Sequence, residues 1–421
     1  MRAVSYGALL GLALLTASID APAAPVAQPA LAAPAPAAPA PADPAVLAAL
    51  GRELFFDPSL SASGRMACAT CHDPRHAYGP ANARAVQLGG AQLSLPGRRA
   101  APSLRYVLIH TPLWAKQYQA SAVERVTETD SAPVGGFTWD GRFDTLRAQS
   151  ASPLLTDFEM GNASVAELSA RVQRAAYADR LRALFGAQLF DDPPRLLAVV
   201  LQALERFELD DPSFRPYSSR YDAWLDNKAS LSAAELRGLQ LFNDPHKGNC
   251  NACHTSSLGA DGSHPLFTDF TYAALGVPRN PEIPANADAG YFDLGLCGPL
   301  RTDLGKEQRW CGMFKTPSLR NAAARSVFFH NGRVHTLRDA VRFYAERDTH
   351  PDRWYPRAPP PGPAASVVLK FDDLPEALHG NVNRREVPMQ LQPGDAPLLD
   401  EADIDDLVAF IATLSDADVQ P

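Results

Sequence analysis

The sequence predicts a mainly α-helical protein made of two related domains, with long loops and little β structure. Three observations predict it: apolar residues at helical spacing, four sequence blocks that recur in the same order, and sparse strand signals between Pro/Gly-rich connections. The chain has 421 residues, 46% hydrophobic and 20% charged, enough to bury a large core. With a net charge of only −8 and no dense Lys/Arg block, nothing recommends nucleic acid or an anionic membrane surface as a partner. Proteins and small molecules are the expected partners.

At the start, Arg2 precedes an apolar run from Tyr6 to Ala17 that ends in small residues. The run is short for a membrane span and fits a secretory signal over 1–20, with the mature protein exported to the periplasm and left without a membrane span; an uncleaved anchor is the alternative. From 21 to 44 the chain is almost only Ala and Pro, a linker with too few backbone donors and too little apolar bulk to pack.

The rest is duplicated. Gly51-Arg-Glu-Leu-Phe-Phe-Asp-Pro58 answers Gly238-Leu-Gln-Leu-Phe-Asn-Asp-Pro245, Cys68-Ala-Thr-Cys-His72 answers Cys250-Asn-Ala-Cys-His254, and Pro102-Ser-Leu-Arg105 answers Pro317-Ser-Leu-Arg320. A fourth block, Gly-Arg-x-x-Thr-Leu-Arg, starts at Gly141 and again at Gly332. Self-similarity at this long period means two domains rather than a solenoid, set at 45–212 and 213–421. Pro193 and Pro194 open a helix whose apolar face runs through Leu196, Leu197, Val200, Leu204 and Phe207. Ser232 with Glu235 makes a capping box before the second Leu-Phe segment, and Ile404, Leu407, Val408 and Ile411 mark a last helix that should dock on the second domain.

Six cysteines are present. Cys297 and Cys311 close a short loop suited to a disulfide in an exported protein, which contributes about 3 kcal/mol in the chain-entropy model. The other four lie in the two Cys-x-x-Cys-His runs, the attachment sequence of c-type haem: both thiols add to vinyl groups and the next residue offers its imidazole to the iron. Structural zinc would need two knuckles much closer together, and a redox Cys-x-x-Cys would sit beside a βαβ pattern that is missing here. Two covalently bound haem c groups are therefore expected, held by Cys68, Cys71 and His72 and by Cys250, Cys253 and His254, in two cytochrome c-like domains.

What fills the second axial face of each iron separates a carrier from a catalyst, because only an open face binds peroxide. In the fourth repeated block Pro153 and Tyr344 stand at equivalent places. Proline has no ligating side-chain atom, whereas tyrosine can supply a phenolate. Tyr344 also belongs to an apolar stripe with Leu337, Ala340 and Val341, so a core tyrosine would look the same, and His330, His335, His350 and Met313 are competing donors.

The haem motifs, Phe-Thr-Trp-Asp-Gly-Arg from Phe137 to Arg142, Gln149, Pro153, Phe-Glu-Met from Phe158 to Met160 and the block from Lys315 to Tyr344 resemble the bacterial di-haem cytochrome c peroxidase and MauG family over nearly all of the mature chain. The resemblance implies Trp139 as an electron relay between the haems, with Gln149 and Glu159 lining the first distal pocket and moving protons during O–O cleavage. It implies an axial donor fourteen residues after the His of Phe-His-x-Gly, methionine in peroxidase-type members and tyrosine in MauG-type ones; counted from His330, this is Tyr344. A thioether raises the haem potential and a phenolate lowers it, which favours storage of oxidising equivalents over acceptance of electrons.

Some positions depart from the pattern. The family's calcium site uses an asparagine before Ala-Pro or Ser-Pro, but Ala100 precedes Ala101-Pro102, which leaves calcium an open but disfavoured ligand. Peroxidase-type members carry a distal histidine about sixteen residues after the first motif, where this chain has Leu88, and His76 is too close. MauG's surface tryptophan before the second motif is Gly248 here. The expected enzyme is a periplasmic peroxidase that reduces hydrogen peroxide at the first haem and takes electrons from a c-type cytochrome, a cupredoxin or a protein substrate. A MauG-like protein-modifying oxidase and a non-catalytic electron-transfer cytochrome are the alternatives.

Overall fold

Two helix pairs carry the architecture, and each pair crosses at a glycine. The computed structural model describes residues 43–116, 133–359 and 366–419. The predicted signal, nearly all of the Ala/Pro-rich linker and part of the loop from Pro356 to Pro363 lie outside the described residues. Among these, eight helices have eight or more residues: α1 (Pro44–Phe56), α2 (Leu146–Leu155), α3 (Val165–Val172), α4 (Ala178–Phe185), α5 (Pro193–Asp210), α6 (Ala233–Asn243), α7 (Leu337–Glu346) and α8 (Glu401–Ala412). The expected start signals operate: Asp192 caps α5 ahead of Pro193 and Pro194, and both bonds of the Ser232–Glu235 capping box open α6.

Helix α1 packs on α5 and α6 packs on α8. A Cβ at Gly51 would lie 1.9 Å from the Ala203 carbonyl oxygen of α5, and one at Gly238 would lie 2.0 Å from the Asp406 carbonyl oxygen of α8. Only a residue without a side chain lets the backbones approach this closely. One turn further on, Phe55 meets Phe207 at 5.4 Å between ring centroids and Phe242 meets Phe410 at 5.1 Å. The sequence repeat is therefore a repeat of helix crossings. Each crossing has its own apolar core, one drawn from Leu47 to Phe214 and the other from Tyr221 to Leu414. Ile404, Leu407 and Ile411 are buried in the second core and Val408 packs at its edge, as the last helix was expected to do.

Sheet is confined to three antiparallel two-residue pairs: β1 (Leu88–Gly89) with β2 (Leu95–Pro96), β3 (Tyr272–Ala273) with β4 (Phe314–Lys315), and β5 (Arg357–Ala358) with β6 (Val367–Val368). The chain end returns to the first half, where buried Arg105 donates to Asp416 at 3.0 Å and to Asp418 at 2.6 Å, while Asn321 donates to the same Asp416 oxygen, Oδ2, at 2.7 Å. Cys297 and Cys311 are joined as a disulfide with 5.0 Å between their Cα atoms. No helix among the described residues is long and apolar enough to cross a membrane.

Gly51→Ala and Gly238→Ala should each destabilise the holoprotein by about 1–3 kcal/mol or more, because the methyl group forces the crossing apart. Gly380→Ala, where an added Cβ meets nothing within 4 Å, should stay within about 0.5 kcal/mol in the same denaturant titration.

Candidate active site

Each Cys-x-x-Cys-His run ends in a histidine held from behind. His72 donates from Nδ1 to the Tyr78 carbonyl at 3.0 Å, and His254 donates from Nδ1 to the Phe267 carbonyl at 2.9 Å. A carbonyl only accepts, so Nδ1 carries the hydrogen and Nε2 is left free as an acceptor or ligand. Burial lowers both imidazole pKa values, against the backbone carbonyls of Tyr78 and Pro102 at His72 and of Phe267 and Pro317 at His254. Pro102 and Pro317 are the matched prolines of the repeated Pro-Ser-Leu-Arg block. That block holds the same post in both halves, since the Ser103 hydroxyl donates to the Ala77 carbonyl at 2.5 Å and the Ser318 hydroxyl to the Leu266 carbonyl at 2.6 Å.

The four remaining thiols are unpaired. Burial pushes Cys71 up to about 11 and Cys250 and Cys253 to about 12, and Cys68 higher still. Around the second run, Cys250, Cys253, His254 and Tyr344 line an apolar cavity together with Trp139 and His330. Its apolar wall and a free imidazole Nε2 beside two unpaired thiols fit a haem.

The fourth repeated block explains where Pro153 and Tyr344 stand. Backbone bridges Phe137–Phe143 and Phe328–Val334 precede α2 and α7, and Thr145 and Thr336 cap them by accepting from the Ala148 and Asp339 amides. Both helices have ten residues, and Pro153 and Tyr344 each occupy the eighth place. Tyr344 faces the second cavity, its hydroxyl without a hydrogen-bond partner among the described residues, and burial raises its pKa. Of the competing donors, His330 also lines this cavity, while His335 pairs with Glu282 at the surface at 3.0 Å and His350 bonds Thr349. Met313 packs instead with Trp310 and Leu296.

Gln149 lies four residues before Pro153, so the two share one face of α2. Its side-chain amide has no partner among the described residues. After α2 the chain turns back and brings Glu159 to the first site, where its charge raises the thiol pKa values of Cys68 and Cys71. The turn is fixed from above, because the Gly90 amide donates to the Glu159 carbonyl at 2.8 Å. A Cβ at Gly89 would lie 2.2 Å from the Phe158 carbonyl oxygen. Leu88, at the place of the distal histidine in peroxidase-type relatives, thus abuts the segment that carries Glu159. Oε2 of Glu159 is buried without a partner. Burial pushes this carboxyl up to about 7, with Arg142 opposing and Asp157 adding to the rise. His76 instead sits beside Asp73 at 3.6 Å.

Trp139 is tied to both halves. Its indole N–H donates to the Ala100 carbonyl at 2.8 Å, the Ala100 amide donates to the His330 carbonyl at 2.8 Å, and the Lys315 amide donates to the Trp139 carbonyl at 2.9 Å. Beside it lies an ion network that sequence reasoning missed. Arg99 donates to Asp140 at 2.8 Å and to Asp293 at 2.6 and 2.8 Å, all three side chains being almost completely buried. Burial works to raise the Asp140 pKa, but Arg99 and Arg142 outweigh it and hold the carboxyl well below its usual range. Asp140 follows Trp139 in a motif already singled out, yet nothing local links residue 99 to residue 293.

Two matched Cys-x-x-Cys-His arrangements on a helical frame, one of them beside an apolar cavity, are what a di-haem protein needs, and comparison with known proteins gives that class. The model of the di-haem cytochrome c peroxidase family matches residues 45–230. The methylamine utilization protein MauG of Paracoccus denitrificans (strain Pd 1222) is 32% identical over 384 residues, 89% of this chain and 90% of that one. The cytochrome c551 peroxidase of Nitrosomonas europaea is 28% identical over 70% of this chain and 72% of its own. The crystal structure of the diheme peroxidase BthA from Burkholderia thailandensis E264 superposes with a TM-score of 0.77 at 41% identity, covering 90% of each chain. The chain belongs to the di-haem cytochrome c peroxidase and MauG family. It is an oxidoreductase of the cytochrome c peroxidase type, acting on peroxide, and its family implies two haem cofactors.

Arg99→Met should cost about 3–5 kcal/mol at neutral pH in denaturant unfolding, because it leaves buried carboxylates short of their cation. The loss should shrink as pH falls, since a carboxyl without its cation can discard its charge by protonation. In the native protein the Asp140 contribution has the opposite sign: it is present above the unfolded value of about 3.9 and fades only as pH falls through the lower folded value.

Proposed function

We propose that the protein is a periplasmic di-haem c-type peroxidase in which peroxide is reduced at the first site and Tyr344 closes the second. The observation that carries this reading is the match of Pro153 with Tyr344 at the eighth place of two equally long, equally capped helices. The residues from 45 to 212 form the peroxidatic domain and those from 213 to 421 the electron-transfer domain. Cys68 and Cys71, and Cys250 and Cys253, form thioethers to the two haems, while His72 and His254 present Nε2 to the irons. Bound haem supplies the redox centre that accepts peroxide and holds oxidising equivalents.

The chain's own residues do the rest. Pro153 keeps a ring without donor atoms over the first site, so no side chain there competes with peroxide. Glu159 Oε2, unpartnered and with a carboxyl near neutrality, takes a proton from the inner oxygen of peroxide and returns it to the outer oxygen, which leaves as water. The Gln149 amide donates to the peroxide and orients it. Two electrons and two protons per peroxide give two waters, with the electrons drawn from a c-type cytochrome or a cupredoxin and passed between the sites by Trp139. Arg99 already places a cation between Asp140 and Asp293 beside Trp139, so no calcium is invoked.

A MauG-like oxidation of a protein substrate is the second reading, favoured by Tyr344 and by the 32% identity to MauG. Against the same substrate stands Gly248, where an added Cβ would lie 2.3 Å from the Leu241 carbonyl oxygen, leaving no room for a tryptophan.

Optical spectra of the ferric protein before and after one equivalent of peroxide test the reading. High-spin haem should be present at rest and react at once; a resting enzyme with none, inert to peroxide, would identify an electron-transfer cytochrome. Glu159→Gln should slow the peroxide step about 10²–10⁴-fold. Tyr344→Met should raise the potential of the second haem and increase turnover with reduced cytochrome c, while an unchanged low-spin spectrum would remove Tyr344 from the coordination sphere.

A further inference from the structure

Among the described residues, five enclosed arginines are paired with carboxylates. Arg99 holds Asp140 and Asp293, Arg105 holds Asp416, Arg301 holds Asp303, Arg320 holds Asp222 and Arg347 holds Asp348. Arg325, half-buried, has no such partner. It follows the short turn Ala322–Ala324 in the second half, and its one described hydrogen bond runs from Nη2 to the Ala101 carbonyl at 3.0 Å. Among the described residues no carboxylate pairs with it. Burial alone pulls its pKa down to about 10, the mark of a cation with nothing to offset its desolvation.

Its location suggests the missing anion. Nη1 lies 3.5 Å from where a Cβ on Gly79 would be, next to Tyr78, whose carbonyl holds His72. The charge of Arg325 also acts on His72 itself. A guanidinium has five N–H donors in a fork that matches a carboxylate, and four of them have no partner here. Haem carries two propionates, anions that need a cation or water wherever they are enclosed.

We propose that Arg325 binds a propionate of the first-site haem, so that the second half of the chain supplies a positioning residue to the peroxidatic haem. The proposal rests on the haem reading above. Its structural consequence is a charge from the electron-transfer half clamped on the cofactor of the other half. Withdrawing that charge leaves an anion near ferric iron and favours the oxidised form.

The test is spectroelectrochemical reduction of each haem in the holoprotein at neutral pH, for the native chain, Arg325→Gln and Arg325→Lys. In Arg325→Gln the reduction equilibrium of the high-spin first haem should move roughly tenfold toward ferric, with the second haem unmoved. Arg325→Lys keeps the charge but loses the fork, so a smaller shift of the same sign, about threefold, is expected at the same haem. If Arg325→Gln fails to accumulate, the lysine variant decides alone. An unmoved first haem, even with a lower melting temperature, would show that the guanidinium only pins Ala101 and would overturn the proposal; an equal shift at both haems would overturn it as well. Native protein without two haem spectral components would instead sink the underlying reading, before any variant is compared.

Discussion

A backbone carbonyl behind each histidine is the constraint on which the rest of this structure depends. The bonds from His72 to Tyr78 and from His254 to Phe267 fix which ring nitrogen carries hydrogen and leave the other free, at His254 beside the apolar cavity. Everything nearby serves that orientation. The repeated Pro-Ser-Leu-Arg block fastens the loops carrying those carbonyls, and the glycine-mediated helix crossings form the rigid wall behind them. Two histidines held in the same way follow from two copies of one local arrangement.

Duplication gives equivalence, and function comes from its breaking. Helices α2 and α7 share length, cap and preceding bridge, so a change at the eighth place changes chemistry without changing scaffold. The halves also differ in charge. A carboxyl with an unpartnered oxygen, Glu159, enters the first site, whereas Lys315 and His330 face the second, with burial pulling them down to about 7 and about 3. The buried ion pairs of Arg99 with Asp140 and Asp293 lie beside Trp139, and both Asp293 and Trp139 line the second cavity, so this network is part of the wall that shapes it.

The site was legible to different depths. The residues proposed to attach and ligate haem declare themselves, because Cys-x-x-Cys-His must be contiguous to reach one macrocycle. Gln149 and Pro153 share a helix face by spacing alone. Glu159 needed the family pattern to be noticed, and its burial comes from the Leu88–Gly90 segment lying across it, a contact between parts of the chain far apart in sequence. At Gly248 the sequence shows only the missing tryptophan, whereas the fold shows why none fits, since the Leu241 carbonyl oxygen lies 2.3 Å from where a Cβ would be.

By itself the sequence determined the helical class, the duplication, the two haem motifs, the cysteine pair that becomes the disulfide, and the alignment of Pro153 with Tyr344. These are matters of spacing and residue chemistry, which act within a turn or along a repeat. Only the tertiary structure decided that Arg99 joins Asp140 to Asp293, that Arg105 anchors the chain end, and that Arg325 reaches the first site without an anion. Such pairings bring together residues far apart along the chain, and a long side chain leaves no periodic trace of the partner it will meet once the backbone closes around a cavity.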